Sequence, residues 1–535
     1  MDFNRISYPI VYPQYSSWVP YNAVPVQDVR FGGFSPPHQH DMARQGAMSI
    51  EDIIKNKIAH FRRWKQTKLS KRRPKWGFQF SVMTYNILSQ VAVENHRFLY
   101  KHCSNTFLQE DYRVSRILPE ILNSRSDIIC LQEVEQHVFE YRIKELFQTN
   151  GFESIFKKKT SSKGDGCAIL WRKKKFDLLQ HCEVEFKANG NKFLNRDNVG
   201  LIAVLKPIHP NLRDINLHVA TTHLLFNPRR GEVKLCQLRL LLAELERLAL
   251  KEISSDGQHH YHPIILCGDF NIEPHSPLYQ FIESGFVDLT NVLSGDMSGQ
   301  TDGKKRGKCV NGEQLSLHKL GINQSSRYED TSENKLSTSV PNSQSFANSG
   351  SGSSNLANPP TIESVDPSIL LAIGKSDDPR WITTLKAMGH DKLAQDLASK
   401  QSAVPKTSVD FKTNKAANSN DSEDMDSSDG RCEQSDLQFS HNFKFIPAYK
   451  FQTDNPKDMP ITSMTGCDYN TVDHIFYTVR EKQNINTYTE GKLKLLGVYG
   501  LMRKDDIDDI GGLPNAHLGS DHTSLIAQFG LCCKR

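Results

Sequence analysis

An apolar run that closes on a carboxylate, an amide or an imidazole recurs along this 535-residue chain. It occurs at Tyr85-Asn86, Leu131-Gln132-Glu133, Thr222-His223, Gly268-Asp269-Phe270-Asn271, Val472-Asp473-His474 and Ser520-Asp521-His522. Oxygen-rich sets of this kind suit a hard cation such as Mg2+, which takes one or two carboxylates and keeps water and substrate phosphate as its other ligands. Hydrolysis of a phosphate ester needs an oriented water and donors for the charge on the phosphoryl oxygens. Taken singly, each element has a plainer reading. Glu133 is then a solvated strand end and His223 an ordinary hydrogen-bonded histidine. Gly268-Asp269-Phe270-Asn271 is a turn, because Gly, Asp and Asn all favour turns, and Ser520-Asp521-His522 is a loop or helix cap. The ordered set is what points to chemistry.

Such groups need rigid supports, and strand ends supply them. Residues 78–86 alternate as a strand, and residues 127–133 and 263–269 read as buried strands. Further strands are predicted at 166–171, 200–205 and 216–223. Residues 111–123 and 136–147 read as helices, and residues 231–252 as a strongly amphipathic one. Strand-like sequence returns at 443–445, 472–478 and 523–529. Buried strands interleaved with helices argue for an α/β sheet core covered by helices.

Around this body the composition changes. Hydrophobic residues make up 38% of the chain, which implies long polar segments diluting an ordinary core. Residues 1–47, rich in Pro, Tyr, Gln and Ser, are expected to be disordered. Ser49 reads as a helix N-cap, with Ile50, Ile53, Ile54, Ile58, Phe61 and Trp64 at helical spacing behind it. The basic run Lys68-Leu69-Ser70-Lys71-Arg72-Arg73-Pro74-Lys75 suits RNA contact, a nuclear signal or a solvated linker. The catalytic domain is expected over residues 76–531, with residues 1–75 as a separate N-terminal region. Residues 295–440 read as a low-complexity insertion unable to bury enough apolar surface to offset ordering entropy, apart from a helical stretch at 379–400. The 11 scattered cysteines, without any CxxC, fit a reducing compartment and no structural zinc. With no signal region and no apolar run near the ~18 residues of a membrane span, a soluble cytoplasmic or nuclear protein is expected.

The ordered motifs, together with Arg196-Asp197-Asn198-Val199-Gly200, resemble the endonuclease/exonuclease/phosphatase superfamily. Asn198-Val199-Gly200, residues 222–228 and Leu513-Pro514-Asn515 ahead of Ser520-Asp521-His522 are similar to its CCR4-type group, and to the Angel branch within that group. The resemblance covers roughly residues 76–293 and 441–531. It implies a two-layer β-sandwich flanked by helices, with a disordered N-terminus, a long internal insertion and the site at one end of the sheets. It implies Glu133 as main metal ligand, helped by Asn86, with Asp521 as a further contact. Asp269 and Asn271 would flank the attacked phosphate, Asp269 handling the water. His522 would contact the phosphate oxygens, oriented by Asp473. His223 would stabilise the transition state, and Asn198 would bind phosphate or sugar. Mg2+ is the expected cofactor, with Mn2+ as an alternative.

Two chemistries fit that set: hydrolysis of a 2',3'-cyclic phosphate at an RNA end, which the Angel branch favours, and 3'-to-5' removal of nucleotides from poly(A). A catalytically inactive RNA-binding protein, or a lipid or abasic-DNA phosphoesterase, are the competing readings. RNA is the expected partner and a membrane is not. Residues 1–75 lack Leu-x-x-Leu-x-Leu repeats, so docking through leucine-rich repeats is not expected. Partners in mRNA regulation or translation would use the N-terminal region or the insertion.

Overall fold

A computed structural model describes residues 49–71, 77–329, 437–450, 459–484 and 486–532. Two mixed sheets lie face to face. The first runs in the order Trp64–Gln66, Leu493–Tyr499, Leu525–Leu531, Phe78–Asn86, Ile128–Glu135, Asp165–Arg172, Phe152–Lys158. The second runs Phe445–Pro447, Asp473–Thr478, Ile264–Asp269, Leu217–His223, Asn195–Pro207, Phe176–Lys187. Each sheet contains one parallel pair, Phe78–Asn86 beside Ile128–Glu135 and Leu217–His223 beside Ile264–Asp269; their other neighbours are antiparallel.

The central strands are buried on both faces, which is why they read as continuous apolar runs rather than as an alternation. In the first sheet Phe80, Val82, Ile128 and Cys130 point inward, onto Val219, Ile265 and Cys267 of the second. Met83, Tyr85, Ile129 and Leu131 point outward, under the helix Glu110–Asn123 and the helical stretch over 136–149. The helix Gly231–Ala249 covers the outer face of the second sheet. The result is two sheets between two helical layers, as the sequence implied.

Several boundaries differ from expectation. Ser49 does cap the helix Ile50–Phe61, its Oγ accepting the Asp52 N–H at 3.1 Å. That helix stops before Trp64, however, and Trp64–Gln66 pairs as an edge strand with Leu493–Tyr499. The cause is long-range. Arg62 is buried, and its Nε donates to the Gly500 carbonyl at 3.0 Å, so the chain leaves the helical path to join the sheet. Ile54 and Ile58 pack with Met502 and Leu513. The described part of residues 1–75 is therefore part of the catalytic body.

The expected insertion also begins too early. Residues 295–329 are folded, and Met297, Val310, Leu315, Leu317 and Ile322 join the main core. This segment lies on the polar side of the helix Gly231–Ala249. Buried Arg239 donates to the carbonyls of Leu315 at 2.6 Å and Asn323 at 2.8 Å. The polar stripe of this amphipathic helix is an internal hydrogen-bonding surface. The basic run is described only to Lys71, where Lys68–Lys71 forms a short helix. The helical expectation at 379–400 and most of the insertion lie outside the described residues. No helix among the described residues is long and apolar enough to cross a membrane.

Candidate active site

The sheet directions bring the motif residues to one place. Asn86, His223 and Asp269 end parallel strands, and Glu133 lies close to the end of another. Asp473 opens a strand antiparallel to the one ending at Asp269, with these two residues opposite each other in register. His522 precedes the strand Leu525–Leu531, which runs antiparallel to Phe78–Asn86. C-terminal ends of the parallel strands and N-terminal ends of their antiparallel neighbours share one edge of the sandwich.

Local backbone features aim these side chains. The register between Ile128–Glu135 and Asp165–Arg172 shifts between Leu131 and Val134, and Glu133 takes φ 54° there. A bulge of this kind re-aims a side chain out of the pleat, here into the site. Gly268 has φ 139°, and a Cβ on it would lie 2.2 Å from the Thr222 carbonyl oxygen. Only glycine permits that approach, which sets Asp269 beside His223 in register. The Gly-Asp-Phe-Asn stretch is thus a strand end under close packing, not a free turn.

Asn86 is completely buried at the centre. Its Nδ2 donates to Glu133 Oε1 at 2.9 Å and to Asp269 Oδ2 at 3.0 Å, while its Oδ1 accepts the Leu88 N–H at 3.0 Å. Its amide nitrogen thus braces two carboxylates, a positioning role beside the metal contact that the resemblance implies. Asn198 also carries a supporting role. Its Nδ2 donates to the His223 carbonyl at 3.0 Å and its Oδ1 accepts from Gln237 at 3.4 Å, so it supports His223 from behind. Asn271 donates to the Leu224 carbonyl at 3.2 Å, and its N–H donates to Asp269 Oδ1 at 3.0 Å.

The remaining residues meet around Asp269. Its Oδ2 lies 3.6 Å from His223 Nε2 and 3.8 Å from His522 Nε2. His522 Nδ1 is 2.8 Å from Asp473 Oδ2, a carboxylate–imidazole pair with Asp473 1% and His522 7% exposed. Asp521 accepts the Tyr100 hydroxyl at 2.8 Å, and its buried Oδ1 has no hydrogen-bond partner. Glu133, His223 and Asp269 offer ligand atoms within 4.8 Å of one another, and so do Asp269, Asp473 and His522. His474, next in the strand after Asp473, points the other way and bonds the Ile272 carbonyl at 2.7 Å.

The electrostatics separate the two histidines. Burial works against a charge on His522, but Asp473, Asp521 and Asp269 outweigh it and hold the ring protonated well above the ordinary range. Burial also lowers His223, and although Asp269 and Glu133 oppose this, the ring is held neutral. Burial opposes ionisation of Glu133 too, yet His223, Lys159 and the donors at Ser89 and Asn86 bring it down to about 2. Asp521 is pushed upward by burial and by Glu133. Four carboxylates thus converge, and buried oxygens of two of them, Asp473 Oδ1 and Asp521 Oδ1, have no hydrogen-bond partner. This donor set fits a divalent cation, whose charge would relieve their mutual repulsion and complete the vacant bond of Asp521.

Supporting residues went unread in the sequence. Gln132 Nε2 donates to Thr84 Oγ1 at 3.1 Å and Thr221 Oγ1 at 2.9 Å, tying the two sheets together beneath the site. Thr462 Oγ1 accepts the N–H of Asp473 at 3.1 Å, and Ser520 Oγ accepts that of His522 at 3.1 Å. Lys159 forms a partly buried ion pair with Asp165 at 2.6 Å and acts electrostatically on Glu133 and His223. Gln132 and Ser520 lay inside motifs already singled out; the others follow no local signal.

The geometry agrees with what known proteins show. The profile of the Endonuclease/Exonuclease/phosphatase family matches residues 83–522. Human Protein angel homolog 2 is 32% identical over 460 residues, which is 85% of this chain and 70% of that protein. The Danio rerio Protein angel homolog 2 is 30% identical over 469 residues, 86% of this chain and 66% of its own length. This chain accordingly matches about two thirds of those relatives. A crystal structure of ANGEL2, described as a 2',3'-cyclic phosphatase in complex with adenosine-2',3'-vanadate, is similar at a TM-score of 0.60 and 28% identity, covering 88% of this chain and 98% of that one.

Proposed function

Given that this chain belongs to the Endonuclease/Exonuclease/phosphatase family, we propose that it is a divalent-metal-dependent phosphoesterase acting on 2',3'-cyclic phosphates at RNA ends. The observation that carries the reading is the convergence of Glu133, Asp269, Asp473 and His522 at one buried edge, on a fold shared with the cyclic phosphatase ANGEL2.

In the proposed reaction water attacks the phosphorus of the cyclic diester and one ribose P–O bond breaks. Asp269 takes the proton of the attacking water, its Oδ2 oriented by Asn86. His522, protonated against Asp473, gives a hydrogen bond to the phosphoryl oxygens and a proton to the departing ribose oxygen. A second attack on the resulting monoester releases inorganic phosphate and leaves a free diol. His223, held neutral, donates a hydrogen bond without adding charge, and Asn271 lines the phosphate. The two imidazoles thus divide into a cation and a neutral donor, the separation that acid–base chemistry near neutral pH requires. Glu133 and the free oxygen of Asp521 would hold the cation. When bound, a divalent cation supplies positive charge to the phosphoryl group and the leaving oxygen. Mg2+ is the ion proposed, because the donors are hard oxygens.

The test is product analysis with a short RNA ending in a 2',3'-cyclic phosphate. The intact chain with Mg2+ should yield a free diol and inorganic phosphate, and Glu133→Ala should yield neither while still binding the RNA. Equal turnover by both proteins would place the chemistry elsewhere.

A further inference from the structure

Resting on that reading, one fully internal cation stands out that the mechanism does not use. Arg113 lies on the helix Glu110–Asn123 and is 2% exposed. Its Nη1 donates to the carbonyls of Ile87 at 3.1 Å, Leu88 at 2.6 Å and Gly519 at 3.3 Å, and its Nη2 donates to Gln90 Oε1 at 3.0 Å. Ile87 and Leu88 follow Asn86 directly, and Gly519 precedes Ser520-Asp521-His522. One guanidinium therefore holds both loops that frame the proposed metal position.

The turn it holds is polarised. Its carbonyls point to Arg113, and its N–H groups point to the site. Leu88 N–H donates to Asn86 Oδ1, Ser89 N–H to Glu133 Oε2 at 2.9 Å, and Val91 N–H to Glu135 Oε1 at 2.9 Å. Leu88 takes φ 57°, a left-handed conformation costly for leucine. Without a partner for the carbonyls of residues 87 and 88, the turn has every reason to relax. Relaxation would withdraw the Leu88 N–H from Asn86 and the Ser89 N–H from Glu133, and so loosen the carboxylate that is to meet the cation.

We propose that Arg113 is a positioning residue for divalent-cation binding, which locks the 87–91 turn in its left-handed form so that Glu133 and Asn86 are set before the cation arrives. It touches neither substrate nor the reacting atoms. Its role is that of the outer hydrogen bonds around metal ligands, whose loss typically costs about 10–100-fold in metal affinity or activity. Lysine keeps the charge but has one nitrogen, so it cannot hold the carbonyls as Nη1 does and bond Gln90 Oε1 as Nη2 does in the fixed geometry of the fork.

The test uses the full chain freed of metal and titrated with Mg2+ alone by calorimetry, alongside kcat and KM for the cyclic-phosphate RNA. Arg113→Lys should weaken Mg2+ binding about 10-fold or more and lower kcat at limiting Mg2+, with KM for RNA unchanged and kcat restored at saturating Mg2+. Gln90→Ala, which removes one partner of the guanidinium, should shift Mg2+ binding in the same direction by about threefold. Unchanged Mg2+ affinity in folded Arg113→Lys would overturn the proposal, even if its melting temperature fell. Should Arg113→Lys fail to fold, wild-type Mg2+ affinity in Gln90→Ala would overturn it. Mg2+ binding is read without turnover, so a wild-type chain that binds Mg2+ but leaves the RNA untouched would sink the proposed function and not this role.

Discussion

Replacing Asp473 by asparagine removes the charge that holds His522 protonated while keeping the shape of the side chain. The two groups are 2.8 Å apart and both are buried, so solvent screens the pair little. A hydrogen bond between charged groups contributes about 1.5–3 kcal/mol net. If the His522 cation stabilises the transition state, that loss corresponds to about a 10- to 150-fold fall in kcat. The lower part of the range is expected, because Asp269 at 3.8 Å and Asp521 at 3.9 Å still favour the imidazolium. The sign of the pH effect is fixed. His522 is raised in the folded state, so the active protonated form persists as pH rises and is lost only above its folded value. With Asp473→Asn that value falls, and the alkaline limb of kcat must move to lower pH. The fold should tolerate the change, since Thr462 still accepts the backbone N–H of residue 473. The assay is phosphate release from the cyclic-phosphate RNA across pH 5–9, with thermal melting as the control. An alkaline limb that stays in place, however large the loss in kcat, would refute the assignment of the proton to His522.

Other outcomes follow from the same geometry. Asp521 is pushed upward, so its ionised form weakens the metal-free fold at neutral pH and less so as pH falls. Asp521→Asn should therefore raise the melting temperature of the metal-free protein and remove most of the further rise on adding Mg2+; a lower melting temperature would contradict this. Glu133 is brought down to about 2 from 4.5, so its contacts stabilise the fold above pH 4.5 and this contribution fades as pH falls toward 2. Glu133→Gln should lose more stability at pH 7 than at pH 3, by denaturant titration at each pH. Arg239→Met leaves two carbonyls of the 315–323 stretch without their donor and should cost about 2–4 kcal/mol, with cleavage by protease near residues 315–323 reporting the release.

The reactive edge was legible because its residues sit at strand ends, with Asn86, His223 and Asp269 closing apolar strands and Asp473 opening one, and a strand buried on both faces leaves a plain run in the sequence. The roles were less legible than the positions. The amide nitrogen of Asn86 donates to Glu133 and Asp269, and that of Asn198 to the His223 carbonyl. Only the fold reveals such partners, because they come from distant parts of the chain. His474 could have been set apart from Asp473 by the two-residue alternation of a strand, which sends neighbours to opposite faces. The edge strands Phe152–Lys158 and Phe176–Lys187 escaped notice because polar and half-buried residues run through them. Residues 295–329 were misjudged for a different reason. Their apolar residues follow no period, yet they fit the polar side of the helix Gly231–Ala249 through main-chain carbonyls, which composition does not show.

The measurement that bears most directly on the whole account compares two short RNAs, one ending in a 2',3'-cyclic phosphate and one in a 3'-hydroxyl poly(A) tail, incubated with the purified chain and Mg2+, with and without EDTA. The first should become a free diol with release of phosphate, the second should keep its length, and EDTA should stop the reaction. Shortening of the poly(A) tail with the cyclic end left intact would contradict this and make the chain a 3'-exonuclease working through the same residues.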